Sequence, residues 1–423
     1  MYRGFTYPKG HGHQPPVKKC FDVAPGIHVF VGYGDSNIGL IIGNDGYILV
    51  DTGASPAGAA EVAKAIARLT PHPLKAIILT HSHPDHRGGG KVFMEGQPSD
   101  VPVWARANFG SEQSALKGLE RIAALRGRRQ FGFDLPYESF TPNVLLLRMP
   151  DTGRPVDLIV PNRFMEEDKL ELKIAGITIE LHAAPGETAD QLVVWLPEQK
   201  VLFVGDCMYR SFPNIYPVRG SGFRDLAVWA ATLKRLSGFA SEAMVMGHTQ
   251  PEIGSGGAEM LSRYGEAIQY VLDATMEGMN TGLTPDELAV SVQLPDHLRE
   301  LPYLAELYGS VPWAVRSVFS GLLGWFDGNP SRLVPLSPGE EAERMADMAG
   351  GADKLLQRAE TALAEKDFSW AAQLSDYVLQ LKEEQGAAKA RTVKAEALEG
   401  LSNVVLPITG KNYLRTCAME LRK

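Results

Sequence analysis

Leu79-Thr80-His81-Ser82-His83-Pro84-Asp85-His86-Arg87-Gly88-Gly89-Gly90 continues the apolar run Ala76-Ile77-Ile78. That run reads as a buried β-strand, so the polar residues sit at a strand mouth, where rigid backbone holds them. The imidazoles at 81, 83 and 86 and the carboxylate of Asp85 put four candidate metal ligands in six residues. Such a donor set suits a borderline-soft dication such as zinc. His81 and His83 point to one side while Asp85 and His86 reach a second position, so the spacing invites two metals a few ångströms apart. A polar loop with scattered histidines is the plainer alternative, but four of the chain's ten histidines fall between residues 71 and 86.

Upstream, Ile27-His28-Val29-Phe30-Val31-Gly32, Ile38-Gly39-Leu40-Ile41-Ile42 and Tyr47-Ile48-Leu49-Val50-Asp51 alternate or run apolar, with Gly43-Asn44-Asp45-Gly46 as a hairpin turn. This predicts strands in a meander. Asp51-Thr52-Gly53 closes the third strand, and a helix-period segment over 58–69 leads back to the strand before the histidines. Downstream, 107–136 reads as a charged helical stretch expected to border a cleft. Arg128 and Arg129 within it are either anion contacts or an exposed basic turn. Strands over 170–174, 177–181, 192–196 and 201–204 predict a second sheet. The loops after them carry Pro185-Gly186-Glu187, then Gly205-Asp206, and, past a helix at 224–237, Met246-Gly247-His248.

With 423 residues, 44% of them hydrophobic and 22% charged, the chain has room for two or three domains. A net charge of −8 without any lysine- or arginine-rich block argues against nucleic-acid and membrane partners. An anionic substrate must then be held by local charge. Cys20, Cys207 and Cys417 are odd in number and far apart, which implies no disulfide framework. With no secretory h-region at the start and no long apolar run, the expected compartment is the cytoplasm. Residues 1–25 read as an N-terminal arm, and no role is assigned to its His11 and His13.

His-x-His-x-Asp-His at 81–86 resembles the signature of the metallo-β-lactamase superfamily. The order of strands, Asp-Thr-Gly, helix, strand and histidine motif is similar to the first half of its αββα sandwich. The resemblance implies an α/β catalytic domain over 26–261, with Asp51 orienting the metal loop without ligating. It also implies two zinc ions per chain, one on His81, His83 and Glu187 and the other on Asp85, His86 and His248, with Asp206 touching both. Most of the superfamily has a histidine where this chain has Glu187. A carboxylate is an equally competent ligand, but its charge tempers the Lewis acidity of the site.

Glu187, the acid nineteen positions on at Asp206, and the run Asn214-Ile215-Tyr216-Pro217-Val218-Arg219-Gly220 further resemble the alkylsulfatase group. That likeness implies that Asn214 and Arg219 bind sulfate, for which a planar, permanently charged guanidinium is suited. The alternative is a surface pair of Arg219 with Asp225. Beyond 262 the chain reads as helical, with repeat-like helices at 351–365, 368–382 and 387–401. Tyr308-Gly309-Ser310-Val311 and the stretches 323–330 and 409–422 resemble an alkylsulfatase dimerisation domain, which implies an all-α domain over 262–423 and a homodimer. Two departures stand out. Pro312-Trp313-Ala314 occupies the place of a Ser-His-Asn motif, and the sequence stops where those enzymes continue into a sterol-carrier-like domain.

The resulting expectation is a dinuclear zinc hydrolase that cleaves alkyl sulfate esters, its nucleophile a metal-bound hydroxide. Asp85 would relay the proton, and Arg219 would neutralise sulfate charge. A phosphodiesterase, lactonase or β-lactamase-like hydrolase on the same site is the rival reading, and a non-enzymatic protein-binding scaffold a third.

Overall fold

A computed structural model describes residues 17–136, 139, 157–381 and 384–423. The first half builds β1 (Lys19–Ala24), β2 (Ile27–Val31), β3 (Ile38–Ile42), β4 (Tyr47–Val50), α1 (Pro56–Leu69), β5 (Leu74–Ile78), α2 (Gly90–Met94), β6 (Val103–Arg106), α3 (Ser111–Ala115), α4 (Glu120–Phe131) and β7 (Arg163–Met165). Its seven strands form one sheet in chain order, antiparallel from β1 to β4 and parallel from β4 to β7. A second sheet follows from β8 (Lys169–Ile174), β9 (Ile177–Ala183), β10 (Leu192–Leu196), β11 (Val201–Gly205), β12 (Ala243–Met246) and β13 (Glu252–Ile253), with α5 (Leu226–Leu236) between β11 and β12.

Strand alternation sorts the apolar residues into three layers. Ile48, Val50, Ala76 and Ile78 of the first sheet meet Leu192, Val194, Val201 and Phe203 of the second in a core between the sheets. Leu49, Ile77 and Leu79 face the other way, against Val62 and Ile66 of α1. Val193, Leu202 and Val204 face outward against Trp229 and Leu233 of α5. Burial on both faces is why these strands read as continuous apolar runs. The layers are those of an αββα sandwich. Ser55 caps α1 through the Gly58 N–H, and Asp225 caps α5 through the Val228 N–H.

The remaining chain is helical among the described residues: α6 (Gly256–Asn280), α7 (Pro285–Ser291), α8 (Asp296–Arg299), α9 (Val311–Leu323), α10 (Pro338–Ala349), α11 (Ala352–Ala364), α12 (Phe368–Gln380), α13 (Glu384–Val404) and α14 (Ile408–Leu421). Thr284 and Ser337 each form a reciprocal capping box, which sets the starts of α7 and α10.

Two boundaries differ from the sequence expectation. Residues 19–24, assigned to the arm, form the edge strand β1 instead, its backbone paired with β2. Only Val23 of that strand is buried, so it shows no apolar alternation to read. Helix α6 begins at Gly256 rather than near 262, and its Leu261, Tyr264, Ile268 and Val271 share one core with Trp229, Met244 and Met246. The same core continues into Val315 and Val318 of α9, so the helical region packs directly on the sandwich. His11 and His13 lie outside the described residues.

Candidate metal centre

The metal loop leaves β5 at the mouth of the sheet, and Asp51, which follows β4, ties it down. Asp51 Oδ1 accepts the Thr80 N–H at 2.8 Å, while Oδ2 accepts the Thr80 hydroxyl and faces His86 Nδ1, each at 2.8 Å. Asp51 adopts a left-handed φ of 59°, a conformation that short polar side chains tolerate. With Nδ1 engaged in this way, His86 turns Nε2 inward.

Six predicted ligands gather into two three-donor clusters: His81, His83 and Asp206 in one, Asp85, His86 and His248 in the other, with the donor atoms of each within 4.8 Å of one another. Asp206 borders both, since its Oδ2 lies 3.8 Å from His81 Nε2 and 3.2 Å from His248 Nε2, and its Oδ1 lies 3.5 Å from His86 Nε2. Asp85 Oδ2 is 3.5 Å from His86 Nε2 and 3.4 Å from His248 Nε2. His248 is aimed by the bond from its Nδ1 to the Asp35 carbonyl, at 2.7 Å. Gly247 leaves the necessary room, because a Cβ there would collide with Asp206 Oδ1 and lie 2.8 Å from His86 Cε1.

Imidazoles and carboxylates in this arrangement suit zinc, and two observations agree with a cation at their centre. His86 Nε2 and Asp206 Oδ1 are buried without a hydrogen-bond partner, an arrangement proteins rarely leave uncompensated. The carboxylates also impose a field that favours positive charge. Burial alone would lower the His248 imidazole, but Asp206 and Asp85 push it up to about 9, and Asp206, Asp85 and Asp51 likewise raise His86.

Glu187 belongs to neither cluster. Its carboxylate is buried against the Arg224 guanidinium, Nη1 of which also donates to the Asn214 carbonyl at 2.5 Å. Burial raises the Glu187 carboxyl; Arg224 acts against this, and Asp206 and His83 stand within electrostatic reach. Asn214 is buried beside the site, its N–H donating to Tyr209 Oη at 2.6 Å and its Oδ1 without a partner.

Arg219 does not pair with Asp225, which caps α5. It reaches Glu112 instead, with Nη2 3.2 Å from Oε1, while its backbone N–H donates to Gln130 of α4. Glu112 had no place in the sequence reading. It lies on α3, and its Oε2 is 2.7 Å from His83 Nε2. Burial would raise its carboxyl, but His83, Arg224 and Arg219 hold it well below the usual carboxylate range. Its neighbour Gln113 accepts from the Ser82 hydroxyl at 2.9 Å, so α3 clamps the metal loop at two points.

Among the described residues, Arg128 pairs with Asp134, and Arg129 binds Glu420 of α14 through Nε at 3.2 Å and Nη2 at 2.6 Å, rather than a donor of either cluster. The Arg129 pair ties α4 to α14. At the start of α9, Trp313 packs toward Gly410, where a Cβ would stand 2.9 Å from its ring, and Ala314 is in the core. Tyr308, just before it, packs edge-on to Tyr209 at 6.1 Å.

Comparison with known proteins identifies the family. Residues 31–248 match the metallo-beta-lactamase superfamily and residues 284–423 match the family described as alkyl sulfatase dimerisation. The chain is 35% identical over 387 residues to a linear primary-alkylsulfatase of Pseudomonas sp. (strain ATCC 19151), covering 89% of this chain and 72% of the relative. It is 28% identical to an (R)-specific secondary-alkylsulfatase of Pseudomonas sp., covering 96% of this chain and 63% of that protein. The solved structure of the stereoselective inverting sec-alkylsulfatase Pisa1 from Pseudomonas sp. superposes with a TM-score of 0.87 at 27% identity, over 96% of this chain and 66% of that one. The chain belongs to the metallo-β-lactamase superfamily and, within it, to the alkylsulfatase-related group that carries the dimerisation region.

Proposed function

We propose that this protein is a dinuclear zinc hydrolase of alkyl sulfate esters that works as a homodimer. The observation that carries the reading is the meeting of two three-donor clusters with a pair of arginines, Arg219 and Arg224, through one shared carboxylate, Glu112. A cation pair beside a guanidinium pair suits a substrate whose reacting group is a compact oxyanion. His81, His83 and Asp206, with Glu187 beside them, would hold one ion, and Asp85, His86 and His248 the other. Bound zinc supplies Lewis acidity and an acidified water to such a site.

The chain's own residues bind, orient and move protons. Arg219 has five N–H donors, and its contacts to Glu112 and to the Gly220 carbonyl leave others for sulfate oxygens. Asn214 stands against Arg224, to which it offers its carbonyl. Arg224 neutralises Glu187 and keeps the buried acids from repelling an anionic substrate. Asp85, with a side chain 30% exposed, is the most open of the donor carboxylates and is therefore placed to pass a proton outward. Leu322 and Leu323 at the end of α9, and Trp325, Leu333 and Val334 after it, are exposed apolar side chains, with Trp325 at 76%. A free surface of this kind calls for cover, and a second copy of the chain supplies it.

Pro312-Trp313-Ala314, without an imidazole, favours the second reading, a phosphodiesterase or lactonase on the same metal centre. Initial rates of one zinc-loaded preparation on dodecyl sulfate, a phosphodiester and a lactone separate the two. Turnover of dodecyl sulfate well above the others supports the proposal; turnover of only the phosphodiester or lactone supports its rival.

A further inference from the structure

Glu112 faces both halves of the candidate site at once. Its Oε2 lies 2.7 Å from His83 Nε2, and its Oε1 lies 3.2 Å from Arg219 Nη2 and 3.5 Å from Arg224 Nη2. His83 Nδ1 lies 2.9 Å from His81 Nε2, so Nδ1 is the nitrogen turned toward the donor cluster and Nε2 the one turned away. An imidazole that ligates through Nδ1 carries its proton on Nε2, and a carboxylate acceptor at Nε2 fixes that tautomer and the ring orientation.

The carboxylate is itself held firmly. Its side chain is 9% exposed, and the loop entering α3 is anchored by the Gly110 N–H on Asp190 Oδ2 at 2.8 Å. Gln113 anchors the next residue to Ser82. Asp190 belongs to the loop that carries Glu187, so α3 is tied to both metal-site loops.

We propose that Glu112 is a positioning residue that couples the two halves of the site: it fixes His83 in its ligating tautomer and aims the Arg219 guanidinium, so that metal affinity and anion affinity depend on one carboxylate. This rests on the reading of His83 as a metal ligand and of Arg219 as the anion clamp. Only a carboxylate suits the position, because both neighbours are donors, an imidazole N–H on one side and guanidinium N–H groups on the other. A glutamine accepts on one side only and turns its NH2 against a donor on the other.

The test compares the parent with Glu112→Gln and Glu112→Asp. Zinc affinity is measured by competition with a chromophoric chelator, inorganic sulfate affinity of the zinc-loaded protein by calorimetry, and stability of the metal-free protein in urea. The expected result is a loss of about 10- to 100-fold in zinc affinity for the glutamine variant, with weaker sulfate binding. Glu112→Asp keeps the charge, should lose less of each, and supplies the comparison if the glutamine variant does not fold. A lower urea midpoint with unchanged zinc affinity would assign Glu112 to the fold alone and overturn the proposal. So would a fall in zinc affinity with sulfate binding intact, since the coupling would then be absent. A parent protein that binds no zinc would overturn the underlying reading instead, an outcome distinct from a variant that binds as well as the parent.

Discussion

Arg224 and Glu187 form an ion pair in which both side chains are buried, 3% and 5% exposed. A buried pair of this kind is held by geometry, and removing one partner strands the other charge away from water. Arg224 also faces Glu112, so its loss would leave two buried carboxylates short of a counter-charge. Arg224→Met should therefore destabilise the metal-free protein by about 3 kcal/mol. Urea unfolding measures this, and a change within experimental error would mean that the two acids find compensation elsewhere.

Asp51 acts on the metal site through His86 and Thr80, without being a donor in either cluster. Asp51→Asn keeps the shape and tolerates the left-handed backbone, but offers one acceptor oxygen where the native residue offers two. Zinc affinity should fall about 10- to 100-fold with little change in the circular dichroism spectrum. Unchanged retention of zinc against a chelator would show that the loop orients itself.

Gly247 tests the crowding of the site. An alanine there puts its Cβ against Asp206 and His86, while the strand that precedes it is unaffected. The variant should fold and retain less zinc, as read by zinc content and by far-ultraviolet circular dichroism on one sample. Full zinc content would contradict the geometry given for Asp206.

The motif at 81–86 and the apolar runs around it made the sandwich legible, because strands buried on both faces and a ligand loop at a strand mouth leave local signatures. Asp51, Asp206 and His248 each lie just past a strand end, and their roles came from the family resemblance. Glu112 could not. It reaches His83 across twenty-nine positions from a five-residue helix that shows no period of its own. The burial of Arg224 against Glu187 depends on how two loops fold toward each other, which leaves no local pattern. The start of the sheet was missed because β1 buries a single side chain and owes its existence to backbone pairing with β2.

Glu306 gives a pH signature away from the metal centre. Burial pushes its carboxyl up to about 7, opposed by the bond from the Val311 N–H at 3.1 Å. Since the folded state holds this proton more tightly than the unfolded one, the group lowers stability as pH rises from about 4.3 to 7 and keeps that cost above 7. Glu306→Gln should match the parent near pH 4 and exceed it by about 3 kcal/mol at pH 8. A difference that does not vary with pH would contradict the assignment.

The central claim, a two-zinc site that cleaves sulfate esters, is tested most directly by titrating metal-free protein with zinc while following sulfate release from dodecyl sulfate. The account predicts that release rises with added zinc, saturates at about two ions per chain, and falls sharply in Arg219→Ala at unchanged zinc content. Saturation at a single ion, or no release at any zinc level from protein that has bound the metal, would contradict it.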